Sequence, residues 1–292
     1  WQLYLLCLLP LLMVIIFNYA AYPGLRMVFM DYKPARGYEG SEWVGLETFQ
    51  KIFKDRDFLK ALRNSIVFNI LDLALQFPIP IILAIAINAV RGPRWKRTVQ
   101  TVVYLPYFIS TVVLVAILQI LLSPTTGVLS NALRAIGLVP EGTNLLGDPS
   151  AFVPVYVISG VWQSAGWNSI IFIAALAAVD GQLYDAAKVD GANRWQQVWH
   201  VELPAILPTI IILLIMNMGG ILSVGFEKTY LLQTPMNKGV SEVISTYVYN
   251  VGLKSSQFSF GSAVGLFNTV VNFVFLVLAN QISKRFANIS LV

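Results

Sequence analysis

Six blocks of this chain, 1–22, 64–90, 98–122, 152–179, 204–223 and 260–283, are long, apolar and almost free of charge. A helix that crosses a bilayer needs about 20 largely apolar residues, because its backbone must satisfy its own hydrogen bonds where no water can. Asp72 is the only charged residue inside any of the six. The expectation is an all-α, polytopic membrane protein with six transmembrane helices, forming a single transmembrane domain over residues 1–292. Composition agrees: 57% of residues are hydrophobic and 12% charged, about half the charge of a soluble domain.

Pro78 and Pro80 should kink the second span and Pro106 the third, with neighbours re-satisfying the freed carbonyls. Gly261 and Gly265 have the small-xxx-small spacing that lets helices pack closely. Block 1–22 lacks a small-residue cleavage site and is followed by further spans, so it reads as a membrane helix and not as a signal peptide. It opens at Trp1 with no initiator Met, and the expectation is that an N-terminal piece is missing. Cys7 and His200 each occur once, which leaves no disulfide framework, no metal cluster and no catalytic constellation. The net charge of +5 is spread over loops, a pattern that suggests membrane-flanking charge and no nucleic-acid partner.

The most informative hydrophilic stretch is 180–204, between the fourth and fifth spans. Asp180-Gly181 can end one helix and cap the next. Ala186 and Ala187 are small and favour helix, so another protein can approach the backbone. Gly191 suits a reversal at positive φ. A helix over 182–190, roughly 13 Å long at 1.5 Å per residue, is predicted. A second, over about 194–201, would carry Trp195, Val198, Trp199 and Glu202 on one stripe along the membrane surface or against other helices. Leu203-Pro204 should break the chain before the fifth span.

Asp185-Ala186-Ala187, three residues, Gly191, nine residues and Val201-Glu202-Leu203-Pro204 match the coupling loop of ABC importer permeases, with Asp for Glu at 185 and Val for Ile at 201. Ile16-Phe17-Asn18-Tyr19 through Phe29-Met30-Asp31-Tyr32 resembles the first span of one carbohydrate permease branch. So do Tyr230-Leu231-Leu232, Val243-Ile244-Ser245-Thr246-Tyr247-Val248-Tyr249 and Ser262-Ala263-Val264-Gly265-Leu266-Phe267. The resemblance is to binding-protein-dependent sugar permeases of the type I, MetI-like fold that serve oligosaccharides and polysaccharide fragments such as aldouronates, rhamnogalacturonan and alginate. It implies residence in the bacterial inner membrane and a heterodimer with a second, related permease. It also implies two ATPase subunits and an extracytoplasmic solute-binding protein. ATP and Mg²⁺ would bind on the ATPases: the dipeptide Gly-Lys of a phosphate loop never occurs here, so this chain is not expected to be an enzyme. Asp185, Ala186, Ala187, Asp190, Gly191, Leu203 and Pro204 are the coupling residues the resemblance implies.

Counting Lys and Arg puts twelve in loops after odd-numbered spans and eight after even-numbered ones, which by the positive-inside rule alone would turn the coupling loop outward. The long loop 23–63 also carries six acids, whereas Arg91, Arg94, Lys96 and Arg97 lie beside membrane ends. Both facts weaken the charge count, and the coupling-loop resemblance implies that 91–97, 180–203 and Lys284-Arg285 lie inside, and 23–63, 123–151 and 224–259 outside. Residues 47–62 should form an interfacial helix, with Tyr32, Tyr38 and Trp43 at headgroup depth. Loop 224–259, rich in Tyr, can anchor at the interface or dock an external partner.

A sugar path needs hydrogen-bonding and aromatic side chains, and polar residues within spans face the interior. The candidates are Trp162, Gln163, Trp167 and Asn168 in the fourth span, Asn217 in the fifth, and Asn268 and Asn272 in the sixth. The second span offers Asn69, Asp72 and Gln76, of which Asp72 can instead pair with a neighbouring helix. No Lys or Arg lies inside a span. The alternative to an ATP-driven importer is a secondary transporter driven by H⁺ or Na⁺, which needs no docking hinge and usually shows intramembrane carboxylates and inverted repeats.

Overall fold

The structure, a computed structural model, describes residues 1–20 and 22–291. In chain order its first helices are α1 (Gln2–Val14), α2 (Glu47–Lys54), α3 (Arg56–Gln76), α4 (Pro78–Ala89), α5 (Pro93–Tyr104), α6 (Thr111–Leu121), α7 (Val128–Ala135) and α8 (Pro149–Ala177). There follow α9 (Gly181–Val189), α10 (Arg194–Gln197), α11 (Leu203–Met218), α12 (Phe226–Leu232), α13 (Lys238–Ser241), α14 (Ile244–Val248) and α15 (Phe258–Ala287). One antiparallel hairpin, β1 (Met30–Lys33) and β2 (Gly37–Trp43), interrupts the helical order. Among the described residues four helical stretches are long and apolar enough to cross a membrane, or up to six if each of two bent pairs is one span.

The residues group into two compact units. The first holds Trp1–Leu59 and Ile244–Val270. Its core is aromatic: Phe267 meets Phe53 and Phe58 edge-on at 5.4 and 5.7 Å, and Tyr247 lies 6.1 Å from Phe58. The Tyr247 hydroxyl donates to Asp55 Oδ2 at 2.8 Å. Asp55 is also why the interfacial helix expected over 47–62 is two helices: its Oδ1 accepts from the amide of Asp57 at 2.7 Å and caps a fresh helix start. The hairpin was not expected; Gly37, at φ +63°, closes its turn. Gly261 packs against Gly252, where an added Cβ would come within 2.7 Å of Cα, while Gly265 faces open space. Among the described residues of this chain, the small-residue pair therefore packs through Gly261.

The second unit holds Lys60–Val243 and Val271–Val292. Phe68 of α3 stacks on Phe152 and Tyr156 of α8 at 5.7 and 5.3 Å, with Leu114, Val157, Leu232 and Val243 buried around them. In lipid, such packing is driven by close contact and not by water exclusion. At Gly166 a Cβ would collide with the Val103 carbonyl oxygen, so α5 and α8 meet backbone to backbone. Pro78 and Pro80 open α4 after a one-residue interruption of the second span. The third span, expected as one kinked helix, turns by 94° between Phe108 and Thr111. Pro106 sits in a 3-10 turn just before the bend, and Ser110 caps α6 through the amide of Val113.

Candidate functional site

Helix α8 ends at Ala177, and α9 leaves it at 72°. Asp180 Oδ1 accepts from the Gln182 amide at 2.9 Å and starts α9. At the other end the amides of Gly191 and Ala192 donate to the carbonyls of Lys188 and Ala187, at 3.0 and 2.8 Å, with Gly191 at φ +77°. This is a Schellman closure, and it needs a residue without a Cβ. The helix expected over 182–190 thus lies one residue earlier, with the cap and the reversal where they were placed. Asp185 and Ala186 are exposed, and Ala187 is half-buried. Ala186, Ala187, Asp190 and Gly191 line one side of a 380 Å³ cleft closed by Gln196, His200 and Val201. Val189 is 87% and Trp195 75% exposed, so the loop presents apolar side chains with no cover of their own.

The predicted break at Leu203-Pro204 is absent. A π turn over Val198–Glu202 joins α10 to α11, and Arg194–Met218 runs as one stretch. The wider turn accommodates the proline ring that an α turn would meet in a clash. The expected stripe also divides: Val198 and Glu202 are buried, while Trp195 and Trp199 are exposed.

Glu202, at 0% exposure, is the residue that sequence reasoning missed. Its Oε1 accepts from Arg194 at 2.8 Å, Asn88 Nδ2 at 3.2 Å and the Tyr184 hydroxyl at 3.2 Å. Asn88 in turn accepts from Lys96 at 3.2 Å. One carboxylate thereby ties α9, α10, α4 and α5 to the start of α11. Burial, and then the charge of Glu202, push the Tyr184 phenol above its ordinary range. The only hint in the sequence is an acid lodged directly before Leu203-Pro204 and an apolar run.

The proposed path residues separate into distinct environments. Asn168 and Asn217 line a 220 Å³ cavity together with Asn69, Asp72 and Gln76. Gln163 lines a second, of 320 Å³, which also includes Gln76. Its Nε2 donates to the Ile109 carbonyl at 2.8 Å, satisfying backbone freed at the 94° bend. Trp167 stacks on Tyr107 at 4.5 Å and meets Phe108 edge-on, so it braces the same bend. Trp162 is exposed and lines neither cavity. Asn272 is occupied in fixing the backbone after α11: it accepts from the Leu222 amide and donates to Ser223, both at 3.0 Å. Asn268, in the other unit, keeps a buried Oδ1 with no hydrogen-bond partner among the described residues.

Residues 76–288 match the family described as binding-protein-dependent transport system inner membrane component. The chain is similar to the polygalacturonan/rhamnogalacturonan transport system permease protein YteP of Bacillus subtilis (strain 168), with 42% identity over 97% of this chain and 88% of that one. Among solved structures it resembles a chain of a bacterial ABC transporter involved in the import of the acidic polysaccharide alginate. That likeness has a TM-score of 0.89 and 39% identity, covering 98% of this chain and 96% of that one. A second structure, of a bacterial alginate ABC transporter in complex with an alginate pentasaccharide-bound periplasmic protein, gives a TM-score of 0.89 and 38% identity, with 100% and 96% covered.

Proposed function

The chain belongs to the inner-membrane components of binding-protein-dependent transport systems, and from that premise we propose that it is one permease half of an ATP-driven importer for oligosaccharides or polysaccharide fragments. Its companions are a second, related permease, two ATP-binding cassette subunits that hold ATP and Mg²⁺, and an external binding protein that delivers the sugar. The observation that carries the coupling role is α9 itself: an Asp180-capped, Gly191-closed rod presenting Asp185 and Ala186 to an outside partner.

Closure of the ATPases pulls α9. The displacement passes through Tyr184 to Glu202, and from that carboxylate to Asn88 on α4 and to the first turn of α11. Packed helices respond as rigid bodies, so the six-span half rocks between inward- and outward-facing states. The amide-lined cavities offer the donors and acceptors that sugar hydroxyls require. Reconstituted with its companions in proteoliposomes, the complex should take up saccharide only with ATP inside. Uptake that ignores ATP and follows an imposed proton or sodium gradient would refute the reading.

A further inference from the structure

Lys228 of α12 is buried, at 8% exposure, although its neighbour Glu227 is exposed. Its Nζ donates to the Tyr156 carbonyl at 2.7 Å and stands 4.6 Å from the centre of the Tyr156 ring. Both partners are neutral. No carboxylate forms an ion pair with it among the described residues. Asp72 acts on it from farther off, and the Asp72 carboxylate is itself engaged by the Gln76 side-chain amide. An ammonium withdrawn from water costs several kcal/mol unless charge and hydrogen bonds compensate it. A carbonyl and a ring face offset part of that.

The side chain opens onto the 320 Å³ cavity, beside Gln76, Gln163, Ser164 and Thr111. Gly160 makes the arrangement sterically possible. A Cβ there would lie 2.8 Å from Gln76 Nε2 and 3.2 Å from Lys228 Nζ, so the bare backbone leaves room for amide and ammonium side by side. The cavity therefore holds the Lys228 ammonium and neutral hydrogen-bonding groups against the spanning helices α3 and α8, with the exposed Glu227 also in its lining. Polar surface of this kind belongs to a water-filled path and not to lipid.

We infer that Lys228 pairs with the carboxylates of acidic sugar residues as they pass this cavity, which makes the cargo an anionic saccharide. The inference rests on the importer reading above and deepens it to a substrate class. An ammonium suits this role, because a point charge on a flexible stem can hold a carboxylate in transit without the two-point grip of a guanidinium. The rival role is internal, with Lys228 serving only to balance Asp72.

The test uses the full complex in proteoliposomes and two probes, tetragalacturonate and its neutral methyl ester. The variants are Lys228→Gln, Lys228→Arg and the double change Lys228→Gln with Asp72→Asn. The same binding protein serves every complex, so its own preference cancels when acid-to-ester uptake ratios are compared. Lys228→Gln should lower that ratio about tenfold, the scale of one charge-assisted hydrogen bond. Lys228→Arg should keep most of it, and the double variant should stay as poor as the single. ATPase stimulation by loaded binding protein should not change. An unchanged ratio, or recovery in the double variant, overturns the inference and leaves the importer standing. A wild-type complex whose uptake ignores ATP and follows an imposed ion gradient overturns both. Lys228→Met, equally uncharged, replaces the Gln variant if that one does not assemble.

Discussion

Glu202 concentrates three donors on one oxygen, while its Oε2 is buried with no partner among the described residues. The acid is thus held by one edge. Breaking a buried ion pair costs about 3 kcal/mol, so Glu202→Ala should clearly lower the thermal midpoint of the purified subunit. Tyr184→Phe removes one hydrogen bond and should cost about 1 kcal/mol. If Glu202 transmits the pull on α9, Glu202→Ala should also leave ATP hydrolysis running with little uptake, measured side by side in proteoliposomes. Gly191 is a second residue with a narrow choice: at φ +77° a branched side chain is strained by about 1–2 kcal/mol. Gly191→Val should fray the end of α9 and weaken ATPase retention, with the spans intact by circular dichroism.

At the scale of elements, α9 is the part with a separable role. Deleting 185–191 should leave a membrane-inserted protein that no longer copurifies with ATPase subunits; undiminished copurification would contradict the coupling role. The approach of α5 to α8 at Gly166 is the opposite case, since there the packing itself is at stake. Gly166→Leu should prevent the helices from meeting and reduce the yield of assembled complex, read by size-exclusion chromatography. What was legible in the sequence follows the same division. The spans and the Asp180 and Gly191 boundaries of α9 could be read because hydropathy and local capping act over a few residues. The 94° bend after Pro106 was not, because its freed carbonyl is answered by Gln163, 54 positions away. The Glu202 cluster was equally hidden, since Asn88 joins it from 114 positions away. Asp55 could have been found: an acid two residues before Asp57 inside an apparent helix is a cap signal in its own right.

For the whole molecule, orientation is the property on which charge counting and the coupling-loop resemblance disagree, and labelling decides it. The exposed free thiol of Cys7 must first be removed. In a Cys7→Ser background, a cysteine placed at Val189 should react with an impermeant maleimide only after the inner face is opened. One at Met236, also exposed, should react in intact cells. The reverse pattern would put α9 on the outer face and overturn its coupling role. The first span raises a different matter. From Tyr4 to Tyr19 its side chains are exposed on every side, and a helix oily all round finds its cover in lipid or in another protein. The rest of the chain buries none of those described side chains, which leaves the azimuth of α1 to contacts from outside. The angle it settles at is dictated by whatever lies against it, and acyl-chain length or a sister subunit becomes a dial on this part of the transporter.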